Sequence, residues 1–351
     1  MISGRFFSRG EAGRVACGLC PRRCVLSENE GGQCRIRFNR NGEPALPFYG
    51  VITALAVDPI EKKPLYHFRP GTNILSAGFT GCNLRCPFCQ NWSVSQNPHA
   101  RNSAGQSCSP AELVAAALES QKAGDTAATR AIAYTYSEPL VHIEFLLDCM
   151  REARKAGVAN ALVSNGCVNS EAAAEILDLC DAANIDLKCF SEETYENTLG
   201  GNLTAVTDFI RVAVEKGVHL ELTTLIVPSL NDSARELNKC RDFIAELQTR
   251  EGVVPWHLSA YHPNWKWKAP STEPSFIINA TARAREKLPY VYAGNIASLE
   301  RGFNDTLCLN CGKILISRRG YKVDTSGLSR ETENARPLYY CEFCGQRAPV
   351  S

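Results

Sequence analysis

The sequence has almost no net charge, and long apolar runs are missing from it. Its 38 Lys and Arg residues nearly balance 37 Asp and Glu residues, so the basic excess of a bulk nucleic-acid binder is absent. No apolar run approaches the ~20 residues that cross a bilayer. The first residues include arginines but no apolar stretch of a secretory signal. These absences predict a cytoplasmic protein with neither a membrane span nor a nucleic-acid partner.

Cysteine, in contrast, is abundant, with 17 in 351 residues. Because cytosolic thiols stay reduced, metal ligation explains such a number better than disulfides do. Most of them form three groups: Cys17, Cys20, Cys24 and Cys34; Cys82, Cys86 and Cys89; and Cys308, Cys311, Cys341 and Cys344. The others occur singly and are expected to be buried as small apolar side chains: Cys108, Cys149, Cys167, Cys180, Cys189 and Cys240.

The pattern along the chain divides it into three parts. Residues 1–70 form a Cys-rich N-terminal segment with little periodicity, and residues 301–351 form a small separate module. Between them, in residues 71–300, short apolar runs alternate with amphipathic stretches. This alternation predicts an α/β fold with a parallel sheet, as a full or partial (β/α) barrel, with an open doubly wound sheet as the alternative.

Strands and helices can be placed within that middle part. The predicted strands lie at 74–80, 130–136, 160–165, 183–188, 219–227, 256–261 and 290–295. The predicted helices include 109–124, 138–157, 202–217 and 231–248. In either kind of parallel sheet, functional residues are expected in the loops at the carboxyl ends of the strands.

The stretch GCNLRCPFCQNW, residues 81–92, follows the first predicted strand. Gly81 and Pro87 disfavour a helix here, so a loop is predicted that brings its thiols around a shared centre. The spacing C-x3-C-x2-C differs from both common ferredoxin spacings. A structural zinc site would need a fourth ligand nearby. The sequence thus raises the question of what completes this site.

The C-x3-C-x2-C loop after the first strand of a (β/α) pattern resembles the signature of radical S-adenosylmethionine (SAM) enzymes. The resemblance implies that Cys82, Cys86 and Cys89 bind three irons of a [4Fe–4S] cluster. The fourth iron would then bind the amino and carboxylate groups of SAM. Reductive cleavage of SAM would give a 5′-deoxyadenosyl radical that abstracts hydrogen from a substrate.

A closer resemblance covers nearly the whole chain. The stretches CGLCPRRC, DPIEKKPLYHF, GCNLRCPFCQNWSVSQ, YTYSEP, NIDLK and VYAGN are together similar to the radical SAM enzyme of the AmmeMemoRadiSam gene system. That family is akin to pyruvate formate-lyase activating enzymes. It implies a protein or small-molecule substrate, Memo-like or AMMECR-like partners, and a flavodoxin or ferredoxin as electron donor. The alternative from another class is a non-enzymatic, metal-stabilised module that binds protein or nucleic acid.

The resemblance also implies which residues meet SAM. Glu138 matches the acid of a Gly-Gly-Glu motif whose two glycines are absent here, and Asn165 lies in a turn similar to Thr-Asn-Gly. Asp186 and Lys188 match an Asp-Leu-Lys motif near the SAM carboxylate, and His262 matches a histidine that faces SAM. The alternatives are a strand end stopped by proline for Glu138, an ordinary loop ion pair for Asp186 and Lys188, and an ordinary loop histidine for His262.

The two remaining cysteine groups also have the composition of metal sites. The N-terminal group supplies four thiolates for a second iron–sulfur or zinc centre, with a reduced, unligated loop as the alternative. The C-terminal group resembles a zinc ribbon, since glycines follow Cys311 and Cys344 as knuckle turns require.

Three aromatic residues flank the cysteine loop in the sequence: Tyr66, His67 and Trp92. They are candidates for the substrate side of the site, although core packing would explain them equally well.

Overall fold

The computed structural model describes residues 4–97, 105–122, 128–248, 252–296, 302–333 and 336–351. The N-terminal segment forms small antiparallel sheets with long turns. Its strands are β1 (Phe7–Arg9), β2 (Val15–Cys17), β3 (Val25–Leu26), β4 (Phe38–Arg40) and β5 (Glu43–Ala45). The first three strands pair in the order β1-β2-β3, and β4 pairs with β5.

The middle of the chain forms one large, mostly parallel sheet. Its strands, with the short pair β6 and β9, are β6 (Val51–Ile52), β7 (Ala54–Pro59), β8 (Asn73–Gly78), β9 (Gln106–Ser107), β10 (Ala128–Thr135), β11 (Ala159–Ser164), β12 (Ala182–Asp186), β13 (His219–Ile226), β14 (Trp256–Ala260) and β15 (Val291–Gly294). The order is β7-β8-β10-β11-β12-β13-β14-β15, and only β7 is antiparallel to its neighbour in this sheet. Because the order never reverses, the sheet is a partial barrel and differs from a doubly wound sheet.

Helices connect successive parallel strands. They are α1 (Trp92–Ser95), α2 (Pro110–Lys122), α3 (Ile143–Lys155), α4 (Ser170–Leu177), α5 (Leu203–Glu215), α6 (Ala234–Glu246) and α7 (Pro274–Arg285). Helix α2 begins with the expected cap, since the backbone N–H of Glu112 donates to Ser109 Oγ at 3.3 Å and the Glu112 carboxylate accepts from Ser109 N–H at 2.7 Å. The predicted end of this helix at Gly124 and the predicted domain boundary at residues 300 and 301 lie outside the described residues.

The strands are buried on both faces, and the size of their side chains differs between the faces. In β10, Ile132 and Tyr134 belong to the core formed with the helices. The alternate residues, Ala131 and Ala133, pack with Leu65 and other side chains inside the barrel. Small side chains on the inner face thus leave room for the segment that precedes β8.

That segment closes the barrel at the amino ends of its strands. His67 Nδ1–H donates to the Pro349 carbonyl at 2.7 Å, and His67 Nε2 lies 2.6 Å from Tyr292 Oη. The Glu221 carboxylate accepts a hydrogen bond from the backbone N–H of His67 at 2.7 Å. The Tyr66 ring packs on His257 with centroids 4.7 Å apart. The motif DPIEKKPLYHF is therefore a plug that also anchors the end of the chain.

The C-terminal module contains antiparallel strands around a small apolar core. They are β16 (Thr306–Leu307), β17 (Ile314–Arg319), β18 (Lys322–Asp324), β19 (Leu328–Glu333) and β20 (Arg336–Cys341). Buried Arg318 joins the module to the plug, because its guanidinium donates to the Tyr66 carbonyl at 2.7 Å. Within the described residues, every helix is too short or too polar to cross a membrane.

Candidate functional site

The three-cysteine loop leaves the carboxyl end of β8 and runs to α1 without forming a helix of its own, as predicted. It begins at Gly81, whose φ of +78° lies in the left-handed region. A Cβ at this position would stand 2.6 Å from the Cys34 carbonyl oxygen and 2.6 Å from Ile36 Cγ2. The glycine is therefore needed both for the turn and for the close approach of the N-terminal segment.

Hydrogen-bond donors are aimed at the sulfur atoms of this loop. The backbone N–H of Leu84 donates to Cys82 Sγ at 3.3 Å, and the side-chain amide of Asn165 lies 3.7 Å from the same atom. Cys89 Sγ lies 3.4 Å from Ser95 Oγ. Such donors stabilise a thiolate more than a thiol.

Burial governs the protonation of these cysteines. It raises the pKa of the Cys86 thiol to about 12 and also raises that of Cys82, to which nearby Glu138 adds. Unligated, they would remain neutral thiols. A bound metal group supplies the positive charge that makes buried thiolates favourable, so the donor set fits an iron–sulfur cluster.

Glu138 lies after β10 and is fully buried. It accepts hydrogen bonds from Leu140 N–H at 3.0 Å, Ser164 Oγ at 2.6 Å and Asn165 N–H at 2.8 Å. Burial raises its pKa to about 7, against these three donors. The carboxylate thus fixes the turn after the neighbouring strand β11.

The two residues before Glu138 take the places of the absent glycines. Tyr136 and Ser137 have φ angles of +49° and +57°, so the left-handed backbone is present without glycine. The Ser137 hydroxyl donates to the Gly81 carbonyl and joins this turn to the cysteine loop.

Asn165 and Asn83 connect the cysteine loop to β11. The Asn165 amide donates to Asn83 Oδ1 at 2.9 Å, and the Asn83 amide donates to the Cys167 carbonyl at 2.7 Å. A role for Asn83 was not predicted, because the position of an asparagine between two cysteine ligands does not indicate which residues it contacts. Cys167 was assigned to the apolar core, and it is buried, but its carbonyl braces the site.

Asp186 and Lys188 lie together at the carboxyl end of β12. Lys188 Nζ is 3.0 Å from Asp186 Oδ2, and the lysine lies close to Cys86 and Cys89. Burial opposes the lysine charge, but the Asp186 carboxylate raises the pKa of Lys188 above its ordinary value. A permanent cation therefore faces the cysteine loop.

His262 lies on the exposed loop after β14. Its ring nitrogens are 3.2 Å from Ser271 Oγ and 3.1 Å from the Asn295 carbonyl. The same loop is tied to the cysteine loop, since the N–H groups of Lys266 and Trp267 donate to the Pro87 carbonyl at 2.9 and 3.0 Å.

The three aromatic candidates separate. Trp92 is exposed beside the cysteine loop, and its ring is parallel to that of Trp265 with centroids 6.1 Å apart. His67 is buried and Tyr66 half-buried at the amino ends of the strands, opposite the cysteine loop. Of the two interpretations, core packing therefore applies to Tyr66 and His67, because β8 carries the chain from the amino ends of the strands to the carboxyl ends before the cysteine loop begins.

The C-terminal cysteines converge on one point. Cys308 Sγ and Cys344 Sγ are 3.7 Å apart, and so are Cys311 Sγ and Cys341 Sγ. Among the described residues, this is the group of potential ligands whose atoms all lie within 4.8 Å of one another. Four thiols at such separations fit a single tetrahedral metal ion.

The N-terminal cysteines line a common pocket instead. The wall consists of Cys17, Leu19, Cys20, Cys24, Gly32, Gln33, Cys34, Arg37, Asn83 and Val141. This pocket lies directly behind the three-cysteine loop, to which Asn83 also belongs.

Comparisons with known proteins agree with this arrangement. The profile of the Radical SAM superfamily matches residues 78–239, which begin at the end of β8 and include the cysteine loop. An uncharacterized protein of Methanocaldococcus jannaschii is 34% identical over 352 residues, covering 100% of this chain and 99% of that protein. The pyruvate formate-lyase-activating enzyme of Clostridium pasteurianum is 28% identical over 183 residues, covering 51% of this chain and 73% of that enzyme.

Among solved structures, a domain of a pyruvate formate-lyase-activating enzyme from Bacteroides vulgatus has 19% identity and a TM-score of 0.41, covering 46% of this chain and 98% of that chain. The superfamily profile includes the cysteine loop, and the activating enzymes align with about half of the sequence. Residues 78–239 therefore form a radical SAM domain, and the chain is a radical SAM enzyme with homology to the pyruvate formate-lyase-activating enzymes.

Proposed function

We propose that the enzyme cleaves SAM at a [4Fe–4S] cluster held by Cys82, Cys86 and Cys89, and that its substrate is a protein. The observation that carries this proposal is the three-thiol loop at the carboxyl end of β8, with Asn165 and Lys188 gathered around its sulfur atoms. When bound, the cluster and SAM supply a 5′-deoxyadenosyl radical for hydrogen abstraction.

The surrounding residues orient and balance charge. Leu84 and Asn165 donate hydrogen bonds to Cys82, while Glu138 holds the Asn165 turn in place. The Lys188 ammonium offsets the negative charge of thiolates and of a carboxylate bound beside them. We assign the binding of SAM to Glu138, Asn165, Asp186, Lys188 and His262, which lie at or just after the carboxyl ends of strands of the barrel.

A protein substrate is supported by the relatives and by the surface beside the loop. The activating enzymes named above act on pyruvate formate-lyase, as their names state. Trp92, 41% exposed and stacked with Trp265, offers an aromatic surface of the kind that interfaces favour. The motifs shared with the AmmeMemoRadiSam enzymes make Memo-like and AMMECR-like proteins the proposed partners, with a flavodoxin or ferredoxin as electron donor.

Two further assignments complete the proposal. We assign a structural zinc ion to the C-terminal cysteines, because their thiols approach in pairs 3.7 Å apart. Four thiolates fill all four positions of a tetrahedral zinc ion. We also assign the protein to the cytoplasm, because none of its 17 cysteines is paired in a disulfide, which fits a reducing environment.

The test is anaerobic reduction by dithionite in the presence of SAM. We expect 5′-deoxyadenosine to form, and no product from a Cys82→Ala, Cys86→Ala, Cys89→Ala variant. Deuterium transferred into 5′-deoxyadenosine from a uniformly deuterated Memo-like or AMMECR-like protein would identify the substrate. An intact cluster that yields no 5′-deoxyadenosine would instead favour a non-enzymatic binding module.

A further inference from the structure

The four N-terminal cysteines line the pocket behind the three-cysteine loop, residues 81–92, which is the catalytic loop of the proposed function. Cys17 lies on β2, while Cys20, Cys24 and Cys34 lie in the turns around it. A Cβ placed on Gly32 would stand 3.6 Å from Cys24 Sγ and 3.7 Å from Cys34 Sγ, so both thiols lie against the same part of the pocket wall. Cys20 and Cys24 are partly exposed, and the pocket thus has a solvent side.

The backbone around these cysteines has a feature shared by all three groups. In the three-cysteine loop, the backbone N–H of Leu84 donates to Cys82 Sγ at 3.3 Å. The backbone two residues after Cys311 and Cys344 likewise acts to lower the pKa of those thiols, and the same backbone position acts to lower the pKa of Cys20 and Cys34 against the opposing effect of burial. An amide aimed at sulfur gains most when the sulfur is an ionised ligand, so the N-terminal turns are shaped for thiolates.

The turn at Cys34 also repeats the conformation of the C-terminal knuckles. Gly312 and Gly345, which follow Cys311 and Cys344, both have φ of +70°. Arg35, which follows Cys34, has φ of +66° although it is not glycine. A left-handed backbone is unfavourable for arginine, and here it occurs at the position that glycine occupies in the C-terminal knuckles.

The separation of the thiols distinguishes the kind of metal group. The C-terminal sulfurs approach to 3.7 Å in pairs, as ligands of one ion do. In the part of the chain that the structure describes, the N-terminal four are not drawn within 4.8 Å of one another, and they surround a pocket instead. Thiolates of an iron–sulfur cluster bind different irons and therefore stand farther apart than those around a single zinc ion.

The charge and the contacts of the pocket also fit a cluster. Arg37, buried against Glu144 at 2.7 Å, presents a permanent cation to the pocket and its Cys17 thiol. The pocket shares Asn83 with the catalytic loop, and Gln33 Nε2 donates to the Asn83 carbonyl at 2.8 Å. The N-terminal site and the catalytic loop are therefore one packed unit.

We propose that Cys17, Cys20, Cys24 and Cys34 hold a second iron–sulfur cluster, ligated by four thiolates, that packs against the outer side of the catalytic loop. This site is separate from the one at which SAM binds, and it goes beyond the proposed function. It assigns a cofactor to the N-terminal segment.

The full chain, reconstituted without oxygen, provides the test. We expect about eight iron and about eight acid-labile sulfide per chain in the wild type, against about four of each for one cluster. A Cys82→Ser, Cys86→Ser, Cys89→Ser variant should keep about half of both. Its reduced cluster should give an electron paramagnetic resonance (EPR) spectrum that added SAM does not change.

Two further variants separate the site from general effects. Cys20→Ser with Cys24→Ser should lose about half of the iron and keep the spectrum that responds to SAM. The matched control Cys108→Ser, a partly exposed thiol outside the three groups, should keep all of it. A wild-type protein that shows two clusters but no response to SAM would contradict the proposed function and would still support this inference. A triple variant that holds no iron, or holds zinc in its place, would overturn the inference.

Discussion

The side-chain amide of Asn165 lies 3.7 Å from the sulfur of Cys82 and donates to Asn83 Oδ1 at 2.9 Å. One side chain at the end of β11 thereby positions the start of the loop that follows β8. Glu138 holds Asn165 from behind through its backbone N–H at 2.8 Å. The geometry of the cluster site thus depends on residues that are themselves not metal ligands.

Replacing Asn165 by alanine should weaken the cluster without unfolding the barrel. Loss of a partner that orients a metal ligand typically costs about 10–100-fold in metal affinity or activity. We expect a lower yield of bound iron and a reduction potential shifted to more negative values, measured by redox titration followed by EPR. Asn184→Ala is the matched control, because this buried amide bonds the Pro64 carbonyl at 2.7 Å inside the barrel. Equal potentials in the two variants would contradict the role of Asn165.

A methyl group on Gly81 should displace the catalytic loop. Gly81 and Gly157 have φ of +78° and +68°, so alanine costs about 1–2 kcal/mol at either position. Nothing lies within 4 Å of a Cβ at Gly157, whereas at Gly81 it would meet the Cys34 carbonyl at 2.6 Å. Denaturant unfolding and iron content should therefore show a larger loss for Gly81→Ala than for Gly157→Ala. Similar losses would mean that the contact has no effect.

Removing the charge of Lys188 should weaken the binding of SAM. A hydrogen bond to a charged group contributes about 1.5–3 kcal/mol, so Lys188→Gln should bind SAM roughly 10–100-fold more weakly. The measurement is a titration of SAM into the reduced protein, followed by the change in the EPR spectrum. Lys239→Gln on the exposed face of α6 serves as the control. Unchanged affinity in Lys188→Gln would exclude the lysine from the SAM site.

Acid should destabilise the plug through His67. Burial lowers the pKa of His67 to about 3, despite the opposing effect of Glu221. The unfolded chain takes up a proton near the ordinary pKa and the folded chain does not, so stability falls as the pH falls from about 7 to about 4, by roughly 3 kcal/mol. Urea unfolding of His67→Gln should start from a lower stability at neutral pH and lose less on acidification. An equal loss in both proteins would refute this origin.

Zinc removal should open the C-terminal module and leave the iron content unchanged. Its own core is small, so four convergent thiols without their ion should open the module. We expect about one zinc per chain, lost in Cys311→Ser together with new proteolytic cleavage between residues 302 and 351. The iron content should be unchanged. Resistance to proteolysis after complete loss of zinc would contradict a structural role.

The repeated units of the barrel could be predicted because their strands are buried on both faces and their helices are amphipathic. The predicted strand 160–165 is observed as Ala159–Ser164, and 256–261 as Trp256–Ala260. The antiparallel strand β7 was not predicted. Its residues are Ala54–Pro59, and four of the six are exposed, so it lacks the apolar run that marks the inner strands.

The candidate site divides in the same way. The cysteines of the loop could be read from their spacing, and the resemblance pointed to Asp186 and Lys188, which the structure brings together. Asn83 contacts Asn165 and Cys167, which are distant from it in the sequence, so no local sequence pattern indicates its role. Of the two interpretations of Tyr66 and His67, the sequence could not select core packing, because it does not say that the segment before β8 fills the opposite end of the barrel.

The most direct test of the account is EPR-based hyperfine spectroscopy of the reduced protein with SAM labelled by ¹⁵N and ¹⁷O at its amino and carboxylate groups. If one iron is left without a thiolate ligand, both labels should couple to the cluster spin, and unlabelled SAM should not reproduce the signals. A cluster with no coupling to either label, or a zinc ion bound by Cys82, Cys86 and Cys89, would contradict it.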